Sequence, residues 1–297
     1  MRPLIASFLL FSALVSWAEE APKRPGPGEI PALVAQLEKD NNSAMEAAQR
    51  LELAGRDAVG PLLPALQSKK PYARWWAAAA LARIADPRAL SGLIALAGKD
   101  SDVTVRQTAV YWLKTFDDEK ARAAIIAGLD DPDPGVRGYA MQAIEQTRHI
   151  KALPKLRTLL DHSHPKTRYD ALVTIFFLLD EGQLEFLSER LAKEKNADAV
   201  AGILQCLTKL PKMTPQVLEI FIGQLESSQE PVRRLANRLL MKGTGGDLGF
   251  VAADVPAKRA EAVKKWRKWL ADNRDRLAWD EQKHVFIVPG AGSKPAK

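Results

Sequence analysis

The chain has 297 residues, of which 46% are hydrophobic and 27% charged, and this composition excludes disorder along the whole length. The one cysteine, Cys206, excludes an intramolecular disulfide framework, a cysteine-rich zinc site and a c-type haem attachment. The net charge of +7 is local, because residues 257–297 carry a surplus of six positive charges and residues 3–256 are neutral.

The first 18 residues have the three parts of a secretory signal peptide. Met1 and Arg2 give a positive start, residues 3–15 form an apolar run, and Ser16-Trp17-Ala18 supplies small residues suited to cleavage. The run is shorter than the roughly 20 apolar residues of a transmembrane helix. The alternative, a buried N-terminal helix, fits poorly with the charged, proline-rich stretch that follows.

We therefore expect a mature chain that begins near Glu19, is exported to the periplasm or secreted, and has no transmembrane span. No cysteine follows the apolar run, which excludes a lipid anchor at that position. Residues 19–28 are expected to be a flexible leader, because three prolines and two glycines disfavour regular structure there.

Most of the remaining chain is filled by an internal repeat. In a typical copy an arginine is followed three residues later by alanine and seven residues later by leucine or isoleucine, as at Arg74, Ala77 and Leu81. The other arginines of this register are Arg106, Arg137, Arg168 and Arg233. Degenerate copies anchored at Ala44 and Val200 complete a series of seven at spacings of 30 to 33 residues.

Each copy predicts two helices. The alanine of the first helix allows a neighbouring helix axis to come close, and the apolar residue four positions later lies on the same face. A proline precedes the arginine in several copies, where its missing N–H is tolerated at a helix start. Because so short a helix pair cannot bury its apolar face alone, we predict an all-α fold, an α-solenoid (superhelix) of about seven helix pairs over residues 29–242.

The segment Asp-Pro-Asp-Pro-Gly-Val-Arg-Gly-Tyr-Ala at residues 131–140 resembles the HEAT repeat, and parts of it recur at 102–106 and 165–168. The short period is similar to the lyase-type bacterial variety. The resemblance covers roughly residues 30–242 and implies a superhelix of HEAT-like helix pairs. Lyase-type repeats also suggest work on a bilin chromophore, against which stand the export signal and the position of Cys206 in an apolar helix.

The arginines are the most regular polar feature of the repeat. Each can pair with an aspartate or a backbone carbonyl of a neighbouring repeat, which favours a structural inter-repeat ladder over ligand binding. The predicted members of this ladder are Arg74, Arg106, Arg137, Arg168 and Arg233.

Function in a solenoid is expected where its repeats differ. One register position changes through Trp76, Thr108, Tyr139, Asp170 and Gly202 in successive repeats. Adjacent helical residues point about 100° apart, so Trp75 and Trp76 cannot both lie in one core stripe. Either one packs across a repeat junction, or one is an exposed anchor for a partner. Trp75, Trp76 and Tyr139 are therefore the candidate partner-binding residues.

No catalytic constellation is recognisable in the sequence. The chain lacks the Gly-x-Ser-x-Gly, His-Glu-x-x-His and Gly-x-Gly-x-x-Gly patterns, and Cys206 is expected to be a buried, inert thiol. His162 and His164 align with aspartates of the neighbouring turns, where a divalent cation is one interpretation and helix N-capping is the simpler one. We therefore predict no catalytic, cofactor or metal site and a protein that is not an enzyme.

The C-terminal part has a different pattern. Residues 243–256 predict a glycine-rich linker, residues 257–280 a basic amphipathic helix, and residues 281–297 a tail whose last residues are disordered. The apolar stripe of the helix consists of Val263, Trp266, Trp269, Leu270 and Leu277. The linker and the tryptophan-rich helix resemble the ending of exported bacterial HEAT-repeat proteins.

Two roles are open for this helix. As a cap it would cover the apolar end of the last repeat and leave its cations in water. As a surface anchor it would bind an anionic lipid or polymer. The candidate contacts for the second role are Lys264, Lys265, Arg267 and Lys268.

These patterns together predict a non-catalytic exported scaffold or binding module that presents its solenoid surface to a protein or peptide partner. The alternative is an envelope tether, in which the helix of residues 257–277 associates weakly with an anionic surface. Nucleic acid is not expected as a partner, because the basic charge is confined to one helix.

Overall fold

The computed structural model of the protein describes residues 23–211 and 213–288. The expected signal peptide, the first four residues of the leader and the last nine residues of the tail lie outside the described residues. The chain divides into two compact units, with the boundary between Phe116 and Asp117.

Six α-helices build the described part of the first unit. They are α1 (Ile30–Gln36), α2 (Asn41–Ala54), α3 (Arg56–Leu62), α4 (Pro71–Ile84), α5 (Leu90–Lys99) and α6 (Val103–Trp112). Helix α4 packs against both α2 and α6, while α1 and α3 contact α2 and α5 contacts α6. Short 3₁₀ turns extend α3 and α6 and lead into α5, so the connections are only a few residues long.

Nine α-helices and a hairpin build the described part of the second unit. The helices are α7 (Glu119–Ala127), α8 (Pro134–Thr147), α9 (Leu153–Leu159), α10 (Pro165–Leu178), α11 (Gln183–Lys193), α12 (Ala197–Leu207), α13 (Pro215–Gln224), α14 (Glu230–Thr244) and α15 (Pro256–Asn273). The antiparallel strands are β1 (Ala278–Asp280) and β2 (Val285–Ile287). Helices α8, α10, α12 and α14 pack in succession, each with a second helix beside it, and α15 and β2 cover α13 and α14.

These stacked helix pairs confirm the prediction of an all-α solenoid. The helices that carry the repeat register approach closely because alanine, a small residue, lies where they meet. These alanines are fully buried, and so are the apolar residues four positions later. The alanines are Ala77, Ala109, Ala140, Ala171 and Ala236. A larger side chain there would push the neighbouring helices apart.

Within the described ranges, no helix combines the length and the apolarity that are needed to cross a membrane.

The turn before a register helix is held by one of its own side chains. Before α6, the Asp100 carboxylate accepts a hydrogen bond from the backbone N–H of Asp102 at 2.9 Å. Before α8, the Asp131 carboxylate accepts a hydrogen bond from the backbone N–H of Asp133, also at 2.9 Å. Before α10, Nδ1 of His162 accepts from the N–H of His164 at 3.0 Å. Such local bonds favour the turn over continued helix, so they define where each register helix begins.

The register arginine holds the same turn from the other side. Arg74 Nη1 donates to the carbonyl oxygen of Ser68, six residues earlier, at 2.8 Å. The same contact, at 2.7–3.0 Å, is made by Arg106, Arg137, Arg168 and Arg233. Each turn carbonyl thereby gains a donor that the helices cannot supply.

Arg74 and Arg168 also bind a carboxylate of the next turn along the chain. Arg74 Nε and Nη2 donate to the two oxygens of Asp100 at 2.7 and 2.6 Å. Arg168 binds Glu194 in the same way, at 3.0 and 3.1 Å. These bidentate, charge-assisted bonds link one repeat to the next inside each unit.

Two further arginines reach groups without charge. Arg137 Nη2 donates to the hydroxyl of Thr167 at 2.9 Å. Arg233, in the last repeat, donates through Nε and Nη2 to the carbonyl of Ala252 at 3.0 and 2.9 Å. The segment between α14 and α15 thus supplies the partner that a following repeat supplies elsewhere.

The C-terminal part differs from the single helix predicted over residues 257–280. Helix α15 ends at Asn273, a 3₁₀ turn follows, and β1 then pairs with β2. The Asp280 carboxylate accepts from the N–H groups two and three residues later, both at 3.0 Å, and so stabilises the hairpin turn. Trp279 packs on Phe286, which is 1% exposed. Strands of three residues are too short to show period-two alternation, which is why the sequence pattern missed them.

Glu194 is surrounded by donors. Its side chain is 4% exposed, and it accepts hydrogen bonds from Arg168, Arg190 and the backbone N–H of Asn196. Burial alone would raise the pKa of Glu194, but these hydrogen bonds outweigh burial and lower the pKa to about 2. The ionised form therefore stabilises the fold above the ordinary pKa of 4.5, and this stabilisation is lost as the pH falls towards 2.

We predict that Glu194→Gln lowers the free energy of unfolding by about 2–3 kcal/mol near neutral pH, because Arg168 loses its carboxylate partner and the buried Arg190 loses one of its two. The difference from wild type should shrink between about pH 5 and pH 2, where the wild-type carboxylate becomes protonated. Chemical denaturation across this range measures both effects. Glu189→Gln, at an exposed position of α11, is the matched control and should stay within about 0.5 kcal/mol of wild type. A difference that does not change with pH would contradict this account.

Candidate functional site

The two adjacent tryptophans lie on a solvent-facing stripe of α4. Tyr72, Trp75, Trp76 and Arg83 follow the spacing of one helix face, and all four are half-exposed. The rings of Trp75 and Trp76 meet edge to face, with centroids 4.3 Å apart and planes at 83°. Trp76 Nε1 donates to Oδ1 of Asn41 on α2 at 3.0 Å, which fixes the orientation of its indole.

The neighbouring helix α6 continues this surface. Tyr111 and Trp112 are half-exposed, with ring centroids 5.5 Å apart. Arg83, from the stripe of α4, lies over the Trp112 ring at 5.5 Å, and Lys114 Nζ lies 3.7 Å from the Tyr111 centroid. On α2, Leu53 is 42% exposed. The name aromatic face is used below for Tyr72, Trp75, Trp76, Tyr111, Trp112 and Leu53.

The structure places Trp76 at a repeat junction, and the role of the tryptophan pair as a partner anchor stays a prediction. Trp76 packs across a repeat junction through Asn41, yet both indoles retain exposed surface. The third predicted partner-binding residue, Tyr139, is half-exposed on α8 and belongs to the second unit. The other aromatic residues of the face were missed by sequence reasoning, although a tyrosine three residues before Trp75 already has the spacing of one helix face.

Helix α15 uses its apolar stripe inside the protein. Val263, Trp266 and Leu270 are 1%, 0% and 5% exposed, and the helix packs against α13. Trp269 is half-exposed, with its ring centroid 5.8 Å from that of Trp266. The buried stripe is not available to a lipid surface while the helix is packed, so any surface contact depends on its outward cations.

These outward cations are partly compensated by carboxylates. All four candidate contacts are exposed, but Arg267 pairs with Glu226 at 2.5 Å and Lys268 pairs with an aspartate four residues later at 2.9 Å. Lys264 and Lys265 have no ion-pair partner among the described residues. The positive charge that α15 offers to an anionic surface is therefore smaller than the sequence indicates.

The histidine turn has contacts of a structural kind. His162 and His164 line a shallow cavity of about 420 Å³ together with Arg137, Asp130 and Asp131. Burial lowers the pKa of His162, and the nearby charges of Arg137, His164 and Arg168 lower it further. Within residues 23–211 and 213–288, no three histidine, cysteine or acidic side chains are placed together to hold a metal ion.

Burial raises the pKa of two ionisable groups in the second unit. Cys206 is 3% exposed, and burial raises the pKa of its thiol to about 11, so it carries no thiolate near neutral pH. Burial also raises the pKa of Glu145 on α8, while Lys209 opposes this shift. The raised pKa of Glu145 was not identifiable from the sequence, because its desolvation depends on tertiary packing.

The repeat units match the model of the HEAT-repeat family over residues 30–114, 93–175 and 122–208. These ranges cover more than half of the chain, so the chain belongs to the HEAT-repeat family. The family resemblance is confirmed, while export and the repeat length of about 31 residues remain predictions.

A curated relative is the phycocyanobilin lyase subunit beta of Pseudanabaena tenuis (strain PCC 7409), which is 39% identical over 109 residues. The match covers 35% of this chain, and the chain spans 39% of the length of that relative.

Three solved structures are similar in part. The complex of CpcE and CpcF of phycocyanin lyase from Nostoc sp. PCC7120 has 26% identity and a TM-score of 0.34, covering 61% of this chain and 99% of that chain. Human deoxyhypusine hydroxylase in complex with glycerol has 17% identity and a TM-score of 0.37, covering 83% and 96%. A designed armadillo repeat protein in complex with the peptide (KR)4 has 20% identity and a TM-score of 0.36, covering 70% and 96%.

The expectation that the chain is not an enzyme is wrong. The curated relative is a subunit of a lyase, and it shares 39% of its residues with this chain over 109 positions. The expectation rested on the absence of short catalytic motifs. That argument fails because active sites are assembled from residues that are distant in sequence, and because a solenoid fold carries no statement about activity.

We predict that Trp266→Ala lowers the free energy of unfolding by about 3–5 kcal/mol, because it opens a cavity between α15 and α13. The double variant Lys264→Glu/Lys265→Glu should stay within about 0.5 kcal/mol of wild type, because both side chains are exposed. Thermal or chemical denaturation of the full chain measures the difference. Equal effects of the two variants would contradict the assignment of α15 as a cap.

Proposed function

We propose that this HEAT-repeat protein binds a protein or peptide partner on the aromatic face of its first unit. The observation that carries the proposal is a set of five half-exposed aromatic side chains on two packed helices. Burial of apolar surface is favourable by about 25 cal/mol per Å², so a partner that covers these rings gains free energy. Trp and Tyr are also enriched among the residues that dominate interface energies.

The aromatic face is pre-organised for binding. The Trp76 indole is held by Asn41, and the Tyr72 hydroxyl donates to the carbonyl of Lys39 at 3.1 Å. The rings of Trp75 and Trp76 restrict one another through their edge-to-face contact. Side chains that are already ordered lose less conformational entropy when a partner docks, so more of the interaction energy appears as affinity.

A second candidate function is lyase-type work on a bilin. Its support is the relative named phycocyanobilin lyase subunit beta, together with a face whose rings offer stacking partners to a conjugated chromophore. The two candidates are compatible, because a lyase subunit acts within an assembly and needs a surface for its partner.

The location of the protein and its surface contacts are further parts of the proposal. The signal-peptide pattern of residues 1–18 supports export to the periplasm or secretion. Weak association with an anionic surface through Lys264 and Lys265 is the remaining form of the tether hypothesis, since Arg267 and Lys268 are engaged in ion pairs.

We predict that Trp75→Ala/Trp76→Ala abolishes partner capture. Loss of each central aromatic anchor should weaken the binding free energy by more than about 2 kcal/mol. The measurement is cross-linking capture from an extract of the source cells, with the retained proteins identified by mass spectrometry. Ile150→Ala removes an exposed apolar residue from the second unit and is the control that should retain the partner. Circular dichroism melts verify that all variants are folded. Retention of the same proteins by the double variant would contradict the proposed site.

For the lyase-type candidate, we predict that phycocyanobilin added to the wild-type chain shows a shifted and more structured absorption band and gains fluorescence, because a bound chromophore is rigid and shielded from water. Trp75→Ala/Trp76→Ala should reduce this change, whereas Ile150→Ala should not. A spectrum identical to that of free phycocyanobilin at saturating protein would count against this candidate.

If the chain is exported, the protein isolated from its own cells should have the intact mass of a chain that begins near Glu19. Intact-mass spectrometry of the periplasmic and secreted fractions makes this measurement. A mass that includes residues 1–18 in those fractions would contradict removal of a signal peptide.

A further inference from the structure

A cavity of about 670 Å³ lies between helix α15 and the loop that follows α14. Trp269 lines it from the helix, and Leu248 and Gly249 line it from the loop. Both segments belong to the second unit, whereas the aromatic face belongs to the first. The volume falls in the range of about 300–1,000 Å³ that is typical of small-ligand sites.

The indole of Trp269 is an ordered wall of this cavity. Its ring meets that of Trp266 edge to face, with centroids 5.8 Å apart and planes at 87°. Because Trp266 is fully buried, this contact restricts the orientations that are open to the Trp269 ring. Trp269 itself is half-exposed, so it offers apolar ring surface to a ligand at a small cost in side-chain entropy.

The loop side of the cavity is held in place as well. Gly249 has a φ of +78°, a left-handed conformation that other residues rarely adopt, and its N–H donates to Oδ1 of Asp247 at 2.8 Å. The next residue, Phe250, is buried, and its carbonyl oxygen accepts from Nδ2 of Asn237 on α14 at 3.2 Å. These contacts tie the loop to the helix that precedes it.

Charged groups of both signs complete the lining. Among the described residues that line the cavity, Lys265 and Lys268 are cationic, and Asp247 and Asp272 are anionic. Lys268 Nζ donates to a carboxylate oxygen of Asp272 at 2.9 Å, and both side chains are exposed. An ammonium group has three N–H donors and a carboxylate accepts at two oxygens, so each of the four groups retains capacity for a further hydrogen bond. The cavity therefore presents donors and acceptors beside an indole.

Ligands that carry one kind of charge fit this lining poorly. An anion attracted by the lysines would also meet the carboxylates, and a cation attracted by the carboxylates would also meet the ammonium groups. A wholly apolar ligand would cover these charged groups without giving them hydrogen bonds, which costs free energy. The lining matches a neutral ligand with an apolar face and with groups that both donate and accept.

We infer that this cavity binds a sugar ring of a neutral oligosaccharide. The C–H groups on the face of a pyranose ring can pack on the Trp269 indole, which supplies apolar aromatic surface. The hydroxyl groups lie around the rim of the ring, and each of them both donates and accepts, so they match the lysines and the aspartates together. The inference adds a ligand site to the second unit and does not depend on the partner proposed for the aromatic face.

A peptide segment also donates and accepts hydrogen bonds, but this cavity suits it less well. Proline-rich segments dock in grooves lined by aromatic residues, and amphipathic helices need a groove that takes a series of apolar anchors. Among the described lining residues, Trp269 is the one aromatic residue and Leu248 the one large aliphatic residue. The lining therefore favours a single ring over a series of apolar side chains.

The test is to probe a glycan array that carries neutral and acidic oligosaccharides with the labelled full chain. We expect retention on neutral oligosaccharides, and isothermal titration calorimetry then measures the affinity of the one retained most strongly. Its affinity should be the same at low and high salt, because salt screens charges and the ligand has none. Retention on no neutral oligosaccharide, or an affinity that falls at high salt, would overturn the inference.

Matched substitutions locate the sugar. Trp269→Ala should weaken binding of the oligosaccharide by about tenfold, because the stacking surface is lost, whereas Trp75→Ala should leave it unchanged. Lys265→Met removes a donor and should weaken binding by about fivefold, whereas Lys264→Met, at an exposed position outside the described lining, should not. Melting curves verify folding, and if Trp269→Ala does not fold, the lysine pair decides. Equal binding by wild type and a folded Trp269→Ala, or by the two lysine variants, would overturn the inference.

A peptide occupant is a further decisive outcome. If a displayed random peptide library yields sequences that bind wild type but not Trp269→Ala, while the array retains no neutral oligosaccharide, the cavity is a peptide site and the inference is wrong. The double variant Trp75→Ala/Trp76→Ala should keep its saccharide binding. Failure of the protein-binding proposal and failure of this inference are therefore distinguishable.

Discussion

The stacking of the helix pairs depends on the hydrogen bonds of the register arginines. Each guanidinium binds the turn carbonyl six residues before it, and those of Arg74 and Arg168 also hold both oxygens of a carboxylate in the next turn. Five donors in a fixed plane allow one arginine to satisfy both groups, which a lysine ammonium cannot do. The small alanine three residues later then sets the distance between neighbouring helices.

One of the two repeats without a register arginine, the one with Val200 at that position, has other residues at its turn. Val200 occupies the register position in α12, and the turn before it is held by Glu194. Arg190 on α11 donates to Glu194 at 3.2 Å and to Asp161 at 2.8 Å, so a guanidinium still reaches this turn. At this turn the guanidinium groups of Arg168 and Arg190 thus bind the Glu194 carboxylate, whereas a register arginine binds the turn carbonyl.

The turn hydrogen bonds and the buried alanine face of each register helix hold the stacked helices together. The residues on the outward stripe of these helices can therefore vary. In α4 that stripe carries Tyr72, Trp75 and Trp76, and in α6 the neighbouring positions add Tyr111 and Trp112. A rigid frame with a variable surface suits a protein that recognises a partner. The lyase subunit among its relatives shows that this family also serves enzymes, so catalytic activity and partner binding are not exclusive alternatives.

The all-α class, the register and the positions of the arginines and alanines could be read from the sequence, because repeated spacing reports directly on which residues share a helix face. The sequence also located Trp75 and Trp76 as departures from the repeat. It located the apolar stripe of α15, but not the ion pair between Arg267 and Glu226, because that partner lies on a distant segment.

Tertiary structure decided the rest. It placed Arg83 over Trp112 and Asn41 against Trp76, and so joined three helices into one face. It also set the burial that raises the pKa of Cys206, and it formed a hairpin from strands too short for a pattern. Local spacing thus determined the helices and their register, whereas contacts between separate helices determined exposure, charge compensation and the candidate binding surface, because these depend on which distant residues come together.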